Sequence, residues 1–105
     1  MKININTDKN ILENEALSHS VETILEQVLA RFSNQITRVE VHLSDENSAA
    51  KSGKADKRCL LEVRVTGRQP EIMIVQAQTV DQAVMAAAQK MVSSLESELG
   101  KFGKH

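Results

Sequence analysis

The sequence predicts an α+β fold, a two-layer sandwich in which both helices cover one face of a four-stranded mixed sheet. Residues 15–32 and 80–99 carry apolar side chains at steps of three and four, which is typical of amphipathic helices. Four shorter segments carry apolar side chains in alternation or in runs, as strands do. The segments follow one another in the order β-α-β-β-β-α.

A short strand and a long helix are predicted at the N-terminal end of the chain. Ile3 and Ile5 alternate with polar residues, which indicates a strand with one buried face. Asn14 is a good helix N-cap, because its side-chain oxygen can accept a hydrogen bond from the first helical turn. The apolar stripe that follows predicts one helix over residues 15–32.

Three more strands are predicted in the middle of the chain. Residues 36–44 and 57–66 alternate between apolar and polar side chains, so each has one buried face. Residues 45–56 are small and polar and lack a period, which predicts a loop. Residues 67–70 form a glycine-containing turn before a last strand, 72–77. That strand has apolar side chains at both odd and even positions, so the sequence leaves open which of its faces is buried.

The connections between these segments predict the topology of the sheet. The first two strands are joined through a helix and should be parallel, whereas the short later links favour an antiparallel meander. Thr79 is a good N-cap for the second helix, and Gly100 and Gly103 are expected to end it. The result is one domain over residues 1–105, arranged like a double-stranded-RNA-binding domain, with one sheet face left for solvent or a partner.

Composition argues against several classes of protein. A net charge of −1 does not suit a protein that coats nucleic acid by charge alone, and 2% aromatic residues cannot supply base-stacking platforms. The single cysteine, Cys59, lies in an apolar run and is interpreted as a core residue of a protein in a reducing compartment. No apolar stretch suits a signal peptide or a membrane span, so we expect a soluble cytoplasmic protein without a membrane partner.

The sequence does not favour an enzyme. The histidines are scattered, and neither metal-ligand spacing nor a nucleotide-binding motif occurs, so no metal, cofactor or small-molecule substrate is expected. Glu40 and Glu62 are candidates for a carboxylate pair on neighbouring strands. The favoured interpretation is that they form cross-strand ion pairs with Arg38, Arg58 or Arg64.

Basic residues are concentrated in the middle of the chain. Residues 51–68 contain six lysines and arginines against two acidic residues, a local excess of four positive charges. Each predicted helix instead has two more acidic than basic residues. A basic loop and strand can hold phosphates, although on charge alone the simpler explanation is that these residues keep an exposed loop soluble.

Several motifs occur in a recognisable order and spacing. They are Asn14-Glu15-Ala16-Leu17 with Val21, residues 58–64 and 67–70, and Asp81-Gln82-Ala83-Val84 followed by Gln89-Lys90-Met91. Together with the element order, they resemble the short, single-domain form of the ribosome hibernation-promoting factor and ribosome-associated inhibitor family, the sigma-54 modulation protein family. The resemblance covers nearly the whole chain, and residues 58–70 resemble a divergent subgroup.

This resemblance implies a cytoplasmic bacterial protein that binds the small ribosomal subunit near the decoding centre. Such a protein inhibits translation and protects idle ribosomes in stationary phase or under stress, with no reaction and no cofactor. It would be held by contacts to rRNA phosphates, which fix position rather than read sequence. The candidate rRNA-binding residues are Lys51, Lys54, Lys57, Arg58, Arg64, Arg68 and Lys90, with Arg38 as a weaker one.

The helices depart from the family pattern, which places several basic residues on their exposed faces. Lys90 and Lys101 fit that pattern, whereas Ser93 and Ser97 stand where basic residues are expected. The binding site is therefore expected to have shifted to residues 51–68, or ribosome binding is weak or lost.

The alternative function is a protein–protein interaction module that kept the fold and lost ribosome binding. Leu60, Ile72 and Ile74 are the residues that would serve it, as apolar side chains on the uncovered sheet face. Such a surface suits a homodimer or another protein partner.

Overall fold

The chain folds in the predicted order β-α-β-β-β-α. A computed structural model describes residues 1–9, 11, 14–45 and 56–103. Lys51 and Lys54, two of the candidate phosphate contacts, lie outside the described residues. The elements are β1 (Lys2–Thr7), α1 (Glu15–Val28), a 3-10 turn (Ala30–Phe32), β2 (Ile36–Asp45), β3 (Lys57–Val65), β4 (Glu71–Ala77) and α2 (Val80–Gly103).

The sheet has the topology that the connections predict. Its strand order is β1-β2-β3-β4, so β1 and β4 are the two edges. β1 runs parallel to β2, and the two remaining pairs, β2–β3 and β3–β4, are antiparallel. Both helices pack on one face, and α2 contacts β3 and β4 as well as α1. This confirms the predicted mixed sheet with one covered and one open face.

β2 departs from strict alternation at its first residues. The pairing with β3 shifts between Ile36 and Arg38, so Thr37 is an extra residue of a β-bulge. Ile36 is only 3% exposed and Val39 is fully buried, although the two are three positions apart. Regular alternation would place them on opposite faces. The bulge brings both side chains to the covered face.

The first helix is shorter than predicted. Its N-cap is as expected, because the Asn14 side chain accepts a 2.8 Å hydrogen bond from the backbone N–H of Leu17. The prediction of a continuous helix to residue 32 is wrong: α1 ends at Val28 and a 3-10 turn follows. The tighter turn, closed by a hydrogen bond from Phe32 N–H to Leu29 C=O, buries Phe32 just before the chain reverses into β2.

The second helix is longer than predicted. The Thr79 hydroxyl caps it by accepting a 3.1 Å hydrogen bond from Gln82 N–H. The helix passes through Gly100 and ends at Gly103, so the first of the two expected glycine stops is overrun. Ala83, Ala87 and Ala88 are fully buried, and their small side chains let α2 lie close to α1 and the sheet.

The core is aliphatic and lies between the helices and the covered face of the sheet. The inner strand β3 contributes four buried side chains to this core. These are Cys59, Leu61, Val63 and Val65. The register places Met73 and Val75 of β4 opposite Leu61 and Cys59, so both pack against the core. Ile72 and Ile74 therefore face the open side, 54% and 51% exposed. This decides the question that the sequence left open.

Leu60 and Leu61 are neighbours in β3 on opposite sides of the sheet, half-buried and fully buried respectively. We expect Leu61→Ala to lower the free energy of unfolding by about 3 kcal/mol, because it leaves a cavity in the core. Leu60→Ala, the matched control, should cost less than about 1 kcal/mol. Urea unfolding followed by circular dichroism measures both. Equal losses in the two variants would contradict the assignment of the faces.

Candidate nucleic-acid interface

The register of the open sheet face aligns basic side chains of three strands into one row. Lys2 of β1 lies opposite Arg38 of β2, and Arg38 lies opposite Arg64 of β3. Neighbouring strands are about 4.8 Å apart, so the three cationic side chains start close together. All three residues are exposed. We call Lys2, Arg38 and Arg64 the basic row.

A row of carboxylates lies directly beside the basic row. Glu40 of β2 is opposite Glu62 of β3. Arg38 Nε lies 2.7 Å from a Glu40 carboxylate oxygen, and Arg64 Nε lies 3.5 Å from one of Glu62. Both glutamates pair with arginines, as predicted, but the predicted cross-strand geometry is wrong: each ion pair joins two residues of the same strand. Because each pair joins partly exposed groups, its contribution to stability is small.

Glu40 is the open-face carboxylate whose environment most favours the charged form. The side-chain amide of Asn4 donates a 3.2 Å hydrogen bond to it, and this bond is the main reason that its pKa lies below the ordinary value of 4.5. The positive charge of Arg38 acts in the same direction, while partial desolvation opposes both. Glu40 therefore remains ionised beside the basic row.

Arg58 lies at the opposite end of the open face. Its register partners are Ser44 of β2 and Gln76 of β4. It lines a shallow pocket of about 220 Å³ together with Asp8 and His42. None of the ion pairs among the described residues involves Arg58. Its guanidinium lies two strand rows away from Glu40 and Glu62 and is paired with neither of them.

The structure does not bring all the predicted cations onto one surface. Lys57 has the parity of the covered face, and its ammonium is 3.2 Å from Asp45 and 3.3 Å from Asp56. Hydrogen bonds to these two carboxylates, Asp45 first, raise the pKa of Lys57. In the turn after β3, Arg68 is 3.3 Å from Glu98 of α2. Lys90 is exposed on α2, in the helix layer, away from the open face.

Lys2 belongs to the basic row but is not among the residues predicted from the sequence. The available signal was its alternation with Ile3 and Ile5, which places it on the open face of β1. Its position opposite Arg38 depends on the register of the parallel pair, and no turn between β1 and β2 determines that register.

The described residues offer little for catalysis or for metal binding. They contain no group of three or more histidine, cysteine, aspartate or glutamate side chains placed to hold a metal ion. Cys59 is fully buried, and this burial raises the pKa of its thiol to about 12, so the reactive thiolate is absent at neutral pH. None of the helices, over the part of the chain described, is long and apolar enough to cross a membrane.

Residues 3–104 match the family model described as "Sigma 54 modulation protein / S30EA ribosomal protein". The chain belongs to this family. A comparison with curated protein sequences gives no match.

Two solved structures of this fold resemble the chain over nearly its full length. The N-terminal domain of Protein Y from Thermus thermophilus is 18% identical, with a TM-score of 0.71 over 92% of this chain and 98% of that one. A ribosomal subunit interface protein from Coxiella burnetii is 14% identical, with a TM-score of 0.76 over 95% of this chain and 99% of that one. These likenesses establish the α+β fold.

The helix layer of this family member is poor in free cations. Ser93 and Ser97 are exposed, and Arg31 is engaged in an ion pair with Glu96 of α2. Between the helices lies an open, mostly apolar groove of about 750 Å³. It is lined by His19, Ser20, Thr23, Ile24, Asp81, Gln82, Met85, Ala86 and Gln89. Lys90 is an exposed lysine of α2, whereas Lys2, Arg38, Arg58 and Arg64 lie on the sheet.

We expect Asn4→Ala to raise the pKa of Glu40 towards its ordinary value, because the variant lacks the main hydrogen bond to the carboxylate. An NMR titration of the Glu40 side-chain carboxyl carbon measures the change. Asn34→Ala, in the exposed turn before β2, is the matched control and should leave this pKa unchanged. An unchanged pKa of Glu40 in Asn4→Ala would show that another group stabilises the charged carboxylate.

The lowered pKa of Glu40 also predicts how the stability of the fold changes with pH. A carboxyl whose pKa is lower in the folded than in the unfolded chain stabilises the fold above the unfolded pKa. The contribution is lost as the pH falls through the folded pKa of Glu40. Asn4→Ala should therefore lose less stability than the wild type over that acidic range, which urea unfolding at stepped pH measures.

Proposed function

We propose that this protein is a ribosome-associated translation inhibitor of the hibernation type, which binds the small ribosomal subunit through rRNA phosphates. The observation that carries this proposal is the family match over residues 3–104. The relative from Coxiella burnetii, which shares the fold, is described as a ribosomal subunit interface protein. The protein would act in the cytoplasm, where ribosomes are, and would serve cells whose translation is arrested by stress or in stationary phase.

The proposed mechanism is steric occlusion near the decoding centre. A bound protein there would occupy the space of messenger and transfer RNA, without any chemical step. The basic row, Lys2, Arg38 and Arg64, is the best-formed phosphate site among the described residues, because three cations from adjacent strands converge on one end of the open face. Contacts of this kind fix the orientation of the protein on the rRNA and do not depend on the nucleotide sequence.

The ion pairs of the basic row are compatible with phosphate binding. Arg38 and Arg64 each contact a glutamate through Nε. A guanidinium has five N–H donors, so the terminal nitrogens remain able to donate to a phosphate. The neighbouring carboxylates hold each guanidinium in place and thereby reduce the entropy lost on binding. Arg58, at the other end of the same face, supplies an additional cation, and Lys51 and Lys54 remain candidates outside the described residues.

The near-neutral total charge sets a limit on this mode of binding. With a net charge of −1, long-range attraction to rRNA is weak. The affinity must then come from local contacts, each of which neutralises one phosphate and releases its counterions. We therefore expect binding that depends on salt but with a gentler slope than that of a strongly basic protein.

Co-sedimentation with purified small ribosomal subunits at several salt concentrations tests the proposal. We expect saturable pelleting of the wild type. Lys2→Gln/Arg38→Gln/Arg64→Gln should reduce the slope of log affinity against log salt by roughly 2 to 3 units, because three phosphate contacts are lost. The control, Lys57→Gln/Lys90→Gln, removes two cations that lie elsewhere and should keep the wild-type slope. Circular dichroism verifies that both variants are folded.

The outcomes separate the function from the surface that performs it. Loss of binding in the control alone would keep the ribosomal function and reject the open face as its site. Absence of pelleting at every salt concentration would reject the ribosomal function.

Competition with transfer RNA tests the proposed place on the subunit. We expect saturating protein to reduce binding of transfer RNA to messenger-programmed small subunits at least about tenfold, because a blocked site excludes it sterically. Chemical footprinting of the rRNA on the same complexes should show protection at the decoding centre. The basic-row variant, at concentrations that no longer bind, is the control. Undiminished transfer RNA binding on subunits saturated with protein would contradict occlusion.

A further inference from the structure

Within the part of the chain that the structure describes, β4 is an edge strand without the usual protection against pairing. It is seven residues long, contains neither proline nor lysine, and follows the pairing register of β3 without a bulge. Natural proteins normally protect such edges by charges, prolines, bulges or covering elements. The one ionisable side chain of β4, Glu71, lies on the covered side, where it accepts a hydrogen bond from Ser94 of α2. The outer backbone edge of β4 is thus a template for another strand.

The opposite edge of the sheet is different. β1 carries Lys2, Asn4 and Asn6 on its open side, and Asn4 and Asn6 donate hydrogen bonds to Glu40 of β2. A lysine and polar side chains of this kind discourage edge-to-edge pairing. β4 instead exposes Ile72 and Ile74. Of the two edge strands, β4 is therefore the one suited to pairing with another strand.

We propose that β4 pairs with β4 of a second copy of this chain and forms a homodimer with one continuous eight-stranded sheet. The two strands run antiparallel about a two-fold axis at Ile74, so each Ile74 lies opposite the Ile74 of the second copy. This inference goes beyond the proposed function and does not depend on ribosome binding. Antiparallel pairing about a two-fold axis uses the same surface on both copies, as an isologous interface requires.

The open-face residues match themselves in this register. Leu60 is the register partner of Ile74, so the central row would read Leu60, Ile74, and then Ile74 and Leu60 of the second copy. The two Ile74 side chains would meet at the axis and partly shield each other from water, with one Leu60 on either side. Cross-strand pairs of this type each contribute a part of the pairing energy. On the covered side, Met73 would lie opposite Val75 of the second copy.

The charges next to the central row also complement each other. Ile72 would lie opposite Gln76 of the second copy. On β3, the register partner of Ile72 is Glu62 and that of Gln76 is Arg58. Each flanking row therefore has a carboxylate at one end and a guanidinium at the other, and the two-fold axis repeats this arrangement. Shifting the axis to Met73 would lose this match, because Glu62 and Leu60 would then end the same row. No like charges oppose each other in this register, so a second copy meets no electrostatic penalty, and its apolar row of Ile74 and Leu60 matches itself.

Sedimentation equilibrium over a wide concentration range tests the dimer. We expect the wild type to approach twice its monomer mass at high concentration. Ile74→Lys should raise the dissociation constant at least about tenfold, because it places two ammonium groups opposite each other at the axis. Ile74→Thr keeps a good strand former and should raise it less. Ile74 is half-exposed in the monomer, so both variants are expected to fold, which circular dichroism checks.

Met85→Lys is the matched control for a different apolar surface. Met85 is 37% exposed and lines the groove between the helices. This variant should leave the dissociation constant within about twofold of that of the wild type. A wild type that stays monomeric up to about 1 mM would overturn the proposal. Dimerisation that survives Ile74→Lys, or that Met85→Lys abolishes, would overturn it as well.

Cysteine cross-linking tests the register. Directly opposed Cα atoms of antiparallel strands lie about 5 Å apart, within the range that a disulfide spans. Ile74→Cys should therefore form a disulfide-linked dimer on mild oxidation. Gln76→Cys, on the same face, is the control, because its counterpart would lie roughly 13 Å further along the strand. The native Cys59 is buried in both variants and does not contribute. Preferential cross-linking of Gln76→Cys would overturn the register centred on Ile74.

Discussion

The alternation of β3 is the constraint on which the rest of the structure depends. Every second side chain, from Cys59 to Val65, is buried under the helices, and those between them form the middle of the open face. Since β3 pairs with both β2 and β4, its register determines which side chains of those strands share each face. A shift of β3 by one residue would exchange its core and open-face side chains and put its charges into the core. The open face is thus the complement of the core.

This coupling explains why charged residues occur in rows on the open face. Once Val39 and Val63 are opposite each other in the core, Arg38 must meet Arg64 and Glu40 must meet Glu62 on the other side. Like charges opposite each other are unfavourable. The ion pairs along each strand offset this cost, and the amide of Asn4 adds a hydrogen bond to Glu40. A bound phosphate would neutralise the basic row further, which is why we propose an anionic ligand at that end of the sheet.

The sequence predicts what depends on local periods, but not what depends on register. Strand order follows from the lengths of the connections, the two N-caps from capping residues and the buried face of β3 from alternation, and all are confirmed. The bulge at Thr37 breaks the period of two and was therefore missed. The parity of β4 could not be read from a strand that is apolar on both sides.

The candidate site shows the same limit. Clustering of charge along the chain suggested one basic surface for residues 51–68, yet the pleat sends Lys57 and Arg58 to opposite faces of the sheet. Lys2 joins the basic row through pairing between elements that are more than thirty residues apart.

The open face combines two different surfaces. Its polar rows lie on β1 to β3, whereas its apolar residues lie on β4 and beside it, so pairing at the β4 edge would leave the basic row accessible. A two-fold axis normal to the sheet would put both basic rows on one side of the dimer, at opposite ends, where two separated phosphate contacts could act together.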